Sequence, residues 1–188
     1  MIVASNNVGK LKEIREILSE YEISSLKDKN IDIDVVEDSD TFYGNASKKA
    51  REIYKLVHEP VIADDSGLCI NVLNNFPGVL THRFLGNNKT DLERNRALLG
   101  MLEDKSDRSA KVVCVIVYYD GENEIVSEGI LEGNISTIER GNNGFGFDSI
   151  FEVNDKTLAE MSCEEKNNIS ARRIALNNLK LKLRCKKM

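Results

Sequence analysis

The sequence predicts an α/β fold, because two hydrophobic patterns alternate along it. Short apolar runs bounded by turn residues, at Met1–Ala4, from Val61 and at Ala110–Tyr119, have the length and composition of buried strands. Between and after them lie stretches whose apolar residues recur at helical spacing, from Lys10, from Thr41 to Val57 and beyond Ser170. No repeat, low-complexity segment or linker divides the chain, so residues 1–188 are expected to form a single domain.

Composition narrows the class. With 41% hydrophobic and 30% charged residues in 188, the chain can bury a substantial core. A formal net charge of −5 argues against general affinity for nucleic acid or anionic membrane. The longest apolar runs, such as Val112–Val117, are too short to span a bilayer, and the N-terminus lacks a secretory pattern. A cytoplasmic protein is expected. Cys69, Cys114, Cys163 and Cys185 show no C-x-x-C spacing and only two histidines are present, so zinc is not expected. Cys69 and Cys114 lie in apolar runs and read as core thiols.

Taken in order, Met1–Ala4 is followed by the turn Ser5-Asn6-Asn7-Val8-Gly9 and a helix from Lys10, with Leu11, Ile14, Ile17 and Leu18 at helical spacing. This is either an anion site at a helix start or a capped helix with a solvated lysine. Ile31–Val36 alternates apolar and acidic residues as a half-exposed strand would, and the acidic Glu37-Asp38-Ser39-Asp40 follows. Thr41 is the expected cap of a helix to Val57 that buries Phe42, Ala46, Ala50, Ile53 and Val57; Lys48, Lys49 and Arg51 would form its wet face. Asn74–Gly78 is a turn, and Thr90 and Glu93 have capping-box spacing for a helix to about Glu103. Asp120-Gly121-Glu122-Asn123 joins Ala110–Tyr119 to a partner strand at Glu124–Leu131, with a separate short strand near Asn134–Ile138. Ser162 and Glu165 again have capping-box spacing, ahead of a final helix. There Leu181 and Leu183 cannot share one narrow stripe, and the basic tail Arg184–Met188 is expected to fray.

Chemistry concentrates at Val61-Ile62-Ala63-Asp64-Asp65-Ser66-Gly67-Leu68. The run reads as a strand ending in two adjacent carboxylates, whose side chains should leave on opposite sides. Carboxylate oxygens suit a hard cation such as Mg²⁺; the same residues also make an ordinary polar turn. The loop Gly141–Asp148 carries Phe145 and Phe147 but does not open a helix in a βαβ unit, which argues against a dinucleotide fingerprint. Phe145 either stacks on a planar ligand or belongs to a turn with one phenylalanine in the core.

Six collinear blocks resemble the inosine triphosphate pyrophosphatase family over nearly the whole chain. They are Ser5-x-Asn7-x-x-Lys10, Thr41-Phe42-x-x-Asn45-Ala46-x-x-Lys49-Ala50, Ala63-Asp64-Asp65-Ser66-Gly67-Leu68, Pro77-Gly78-Val79, Gly144-Phe145-Gly146-Phe147-Asp148 and Glu165-Lys166-x-x-Ile169-Ser170-x-Arg172. The resemblance implies an elongated, long mixed β-sheet with flanking helices, and two lobes around a central nucleotide-binding cleft. It also implies a homodimer and Mg²⁺-dependent hydrolysis of ITP, dITP and XTP to the monophosphate and pyrophosphate. Asp65 matches the proton acceptor and metal ligand, Glu37 the upstream metal ligand, and Asp64 supports that metal centre. Ser5, Asn7, Lys10, Lys49 and Ser66 match positions around the phosphates and sugar, and Asn6, Val8 and Gly9 share that turn. Phe145 matches the base-stacking aromatic, flanked by Gly146 and Phe147, while Asp148, Lys166 and Arg172 match residues at the base.

Donor-only Lys166 and Arg172 would suit a C6 carbonyl and leave adenine's amino group facing another donor. The sequence departs from the family pattern at Gly44 (usually glutamate), Ser149 (usually proline) and Ala171 (usually histidine). Ala171 leaves open an alternative, a nucleotide-binding member with altered base specificity or little turnover.

Overall fold

The computed structural model describes residues 1–86 and 88–186. In chain order its elements are β1 (Ile2–Val3), α1 (Val8–Ile17), β2 (Ser24–Ser25), α2 (Phe42–Val57), β3 (Val61–Ile70), β4 (Phe76–Pro77), α3 (Asp91–Met101), β5 (Ser109–Tyr119), β6 (Glu124–Ile135), β7 (Phe151–Val153), β8 (Lys156–Thr157), α4 (Cys163–Ile169) and α5 (Ala171–Lys186). The strands run β2-β1-β3-β5-β6-β7-β8, with β4 against β3. β1 pairs parallel with β2 and β3, whereas β3–β4, β6–β7 and β7–β8 are antiparallel. The mixed sheet with helices is the α/β class the sequence predicts.

The chain divides into two compact units. The first holds Met1–Asp65, Cys114–Gly129 and the segment from Ala171; the second holds Ser66–Val113 and Ile130–Ser170. In the first, Ile2, Val61 and Ala63 pack with Ala46, Ala50 and Ile53 of α2 and with Val117 of β5. Burying each larger aliphatic side chain here contributes about 1.5–3 kcal/mol. Thr41 caps α2 by accepting from the Gly44 N–H, as its sequence position predicts. Gly44 has a local reason: a Cβ there would overlap Ser39, whose hydroxyl accepts from the Thr41 N–H.

In the second unit, Thr90–Glu93 and Ser162–Glu165 form the expected capping boxes, opening α3 and α4. Leu98 and Leu102 are buried near the end of α3. The Phe76–Pro77 peptide is cis, where β4 turns back along Cys69 and Ile70.

Several expectations need correction. α1 begins at Val8, because Asn7 rather than Gly9 closes the turn, accepting from the Lys10 N–H at 3.1 Å. Ile31–Val36 is not a strand; Ile31 and Val35 dock on the first unit's core, while Ile33 between them is exposed. β3 does not stop at the carboxylates but continues to Ile70, so Asp64-Asp65-Ser66-Gly67 is mid-strand. β6 is one strand through Ile135, and the separate strand near Asn134–Ile138 does not form. β2, β4, β7 and β8 are too short to be read from the sequence, since two or three residues carry no usable period. Ile174 is 37% exposed, while Leu183 is buried and Leu181 exposed, as their spacing requires. Of the tail expected to fray, Arg184–Lys186 are helical; Lys187 and Met188 lie outside the described residues. Cys69 and Cys114 are buried free thiols. No helix among the described residues is long and apolar enough to cross a membrane.

Candidate active site

Charged residues from four elements meet in the first unit. β3 supplies Asp64 and Asp65, α1 supplies Lys10, α2 supplies Asn45 and Lys49 one turn apart, and α5 supplies Arg172. Successive side chains of a strand leave on opposite faces, and the two carboxylates do have different partners. Asp64 Oδ2 receives Lys10 Nζ at 3.0 Å and Arg172 Nη2 at 3.2 Å. Asp65 Oδ2 accepts from Asn45 Nδ2 at 2.9 Å. Arg172 Nη1 donates in turn to Glu13 Oε2 of α1 at 2.9 Å. Lys49, expected on a wet face, is instead tucked inward, donating to Glu37 Oε1 at 2.7 Å and to the Asp64 carbonyl. A cavity of about 200 Å³ is lined by Ser5, Asn6, Lys10, Glu37, Lys49 and Asp64, among others. Asn7, Val8 and Gly9 lie exposed beside Ser5 and Asn6.

The electrostatics separate the two acids. Burial opposes ionisation of Asp64, but the charges of Lys10, Arg172 and Lys49 overcome it and hold the carboxyl well below the usual range. Burial pushes Asp65 up, and Glu37 adds to that, against the opposing pull of Lys49 and Asn45. Lys49 loses solvation on burial, yet Asp64, Asp65 and Glu37 together raise its pKa and keep it charged. Asp64 is thus a fixed anion, whereas Asp65 is a carboxylate with raised proton affinity.

Removing the Asp64 charge would take a carboxylate from Lys10 and leave Arg172 with Glu13 alone, both cations being largely shielded from water. Asp64→Asn is expected to lower the free energy of unfolding by about 3–5 kcal/mol, read from urea denaturation.

The second unit holds the glycine-rich loop. Asp148 Oδ2 accepts from the Phe145 N–H at 2.7 Å and from Lys166 Nζ. The Lys166 ammonium lies 4.5 Å from the centroid of the Phe145 ring. Gly144 has φ +81°, and a Cβ on it would overlap the Asp148 carboxylate. Gly146 also has positive φ, at +64°. Phe147 turns toward Phe151, edge to face at 6.3 Å between centroids, while Phe145 remains 45% exposed. Phe147 is thus partly covered, and Phe145 is the more exposed aromatic of the loop. Ser66, mid-strand in β3, is partly buried.

The residue patterns extend to the whole chain. The profile of the Ham1 family matches residues 1–182. The chain belongs to the Ham1 family. Among similar proteins, the dITP/XTP pyrophosphatase of Clostridium tetani is 40% identical, with 98% of this chain and 96% of that protein covered. That of Coxiella burnetii is 43% identical, over 95% and 94%. The structure of the Staphylococcus aureus Ham1 protein superposes with a TM-score of 0.91 at 39% identity, covering 98% of each chain.

Within this Ham1 fold, the donor chemistry bears on a metal. No three of His, Cys, Asp or Glu among the described residues close on a common point. Mg²⁺, however, is commonly held by one or two carboxylates, completed by water and substrate phosphate. Glu37 and Asp65, both acting on the Lys49 ammonium, are oxygen donors of that kind. The Asp64 carboxylate is engaged by Lys10 and Arg172. Glu13 and Asn45, the partners of Arg172 and Asp65, carried no assigned role in the sequence. Asn45 could have been found from its place four residues before Lys49; Glu13 could not, because its partner lies 159 positions away.

Proposed function

We propose that this Ham1-family chain is a nucleoside triphosphate pyrophosphatase that converts dITP, XTP and ITP to the monophosphate and pyrophosphate. The observation that carries the reading is its near full-length likeness, at 40–43% identity, to proteins named dITP/XTP pyrophosphatase. The charged cluster in the first unit supports it chemically. Lys10 and Lys49 offer cations to a triphosphate beside the Ser5–Asn7 turn and the exposed start of α1, and Ser66 offers a hydroxyl. Asp65, with its raised proton affinity, accepts the proton of the water that attacks the α-phosphorus. Asp64 holds Lys10, and Arg172 braces Asp64 against Glu13. Because Arg172 is committed to two carboxylates, this geometry supports an anchoring role more directly than the base contact the resemblance implies.

Mg²⁺ bound by Glu37 and Asp65 would neutralise phosphate charge and polarise the attacked phosphorus. Phe145 stacks on the purine, and Lys166, fixed by Asp148, donates to a C6 carbonyl oxygen. Ala171 is 3% exposed at the start of α5, which makes it a packing residue in this chain. The enzyme acts as a cytoplasmic homodimer, a state that light scattering would test.

Pyrophosphate release with Mg²⁺ from dITP, XTP, ITP, GTP and ATP tests the proposal. The expected kcat/KM for dITP, XTP and ITP exceeds that for ATP by roughly 10²-fold or more, up to about 10⁴-fold in sites built on polar mismatch. A flat profile would overturn it, and nucleotide binding without pyrophosphate release would favour a binding protein instead.

A further inference from the structure

An exposed ring needs something other than its own packing to set its direction. Phe145 is 45% exposed, yet both peptide N–H groups that flank it are held by carboxylates. Its own N–H is bound by Asp148 within the loop. The next, of Gly146, donates to Asp91 Oδ2 of α3 at 2.8 Å. Asn95, one turn along the same helix, donates from Nδ2 to the Gly146 carbonyl at 2.9 Å and to Ser149 Oγ at 3.1 Å. Helix α3 thus engages both backbone polar groups of Gly146, whose φ of +64° gives the turn its sharpness.

Asp91 is not required to cap α3, because Thr90 and Glu93 already complete the capping box. It also lies 3.7 Å from Arg94, which binds the carbonyls of Phe84, Gly86 and Lys89 and so anchors this end of the helix. Asn95 is 4% exposed, and a buried amide here stabilises only while its hydrogen bonds are made.

We infer that Asp91 and Asn95 are positioning residues, clamping the Phe145–Ser149 turn so that the Phe145 ring is presented ready to stack on the nucleobase. The inference rests on the proposed stacking role of Phe145. A preformed ring position removes part of the ordering cost of binding, so the clamp acts on affinity and leaves the hydrolytic step alone.

Steady-state kinetics with ITP, together with melting temperatures, tests it. Asp91→Ala is the primary variant, since Asp91 is half-exposed and Thr90 retains the cap. It is expected to raise KM roughly tenfold with kcat within about threefold, and Asn95→Ala is expected to do the same. Asp91→Asn keeps an acceptor oxygen and returns KM toward the wild-type value. Combined with Phe145→Ala, neither alanine change raises KM further, because the residue being positioned is gone.

The clamp is overturned if Phe145→Ala raises KM while Asp91→Ala and Asn95→Ala leave it unchanged; the stacking role then stands. It is also overturned if the helix variants raise KM equally in the Phe145→Ala background, which marks a purely structural effect. If Phe145→Ala itself leaves KM unchanged, stacking fails and the clamp loses its purpose with it.

Discussion

Asp65→Asn is expected to lower kcat for ITP by about 10³-fold, within the range for loss of a general base, while leaving the fold intact. Asparagine has the same shape and still offers a carbonyl oxygen to Asn45, so the 2.9 Å hydrogen bond can be kept. Burial already disfavours the ionised form of Asp65, so a neutral side chain relieves a strain rather than creating one. The melting temperature should accordingly hold or rise slightly. The contrast with Asp64→Asn is diagnostic. Asp64 is held ionised by Lys10 and Arg172, and its loss should appear in stability before it appears in chemistry. Measuring pyrophosphate release and urea unfolding on both variants separates the roles. Near-normal turnover in Asp65→Asn would remove it from the proton-acceptor role.

Gly129→Ala should produce a large stability loss from a single methyl group. A Cβ at Gly129 of β6 would overlap the Ala171 carbonyl oxygen and come within 2.5 Å of the Ala175 backbone nitrogen. These are helix backbone atoms, which cannot swing aside as a side chain could. The two elements are also tied, Ser127 Oγ donating to the Ala175 carbonyl at 2.7 Å and Asn178 Nδ2 to the Glu128 carbonyl at 3.1 Å. Relief therefore requires lifting the first turn of α5, which carries Arg172. Overpacking of this kind costs about 3 kcal/mol, equivalent to a fall in melting temperature of roughly 6–12 °C for a chain of this size. A parallel fall in kcat/KM is expected as Arg172 leaves Asp64. An unchanged melting temperature would show that α5 does not sit on Gly129.

Much of this protein was legible in the sequence because its signals are local. Thr90–Glu93 and Ser162–Glu165 close their capping boxes within three residues, so reading adjacent letters was enough to place α3 and α4. The apolar run of β5 and the turn Asp120–Asn123 identify a hairpin for the same reason. The collinear blocks from Ser5 to Arg172 pointed to the family, and the match over residues 1–182 agrees.

Other properties depend on partners far away in the chain, and only the tertiary structure decided them. Lys49 has the look of a solvated lysine until Glu37 and the Asp64 carbonyl close on it. Adjacent Asp64 and Asp65 acquire opposite shifts in proton affinity because successive strand side chains face different neighbours: Lys10, Arg172 and Lys49 for one, an amide and the Lys49–Glu37 pair for the other. Arg172 is tied to a second carboxylate only when Glu13 reaches it, and Gly129 faces helix backbone only when α5 lands on it. Local pattern determines which elements form and which chemistry is available; packing determines which charge is buried, which is paired and which is raised in proton affinity.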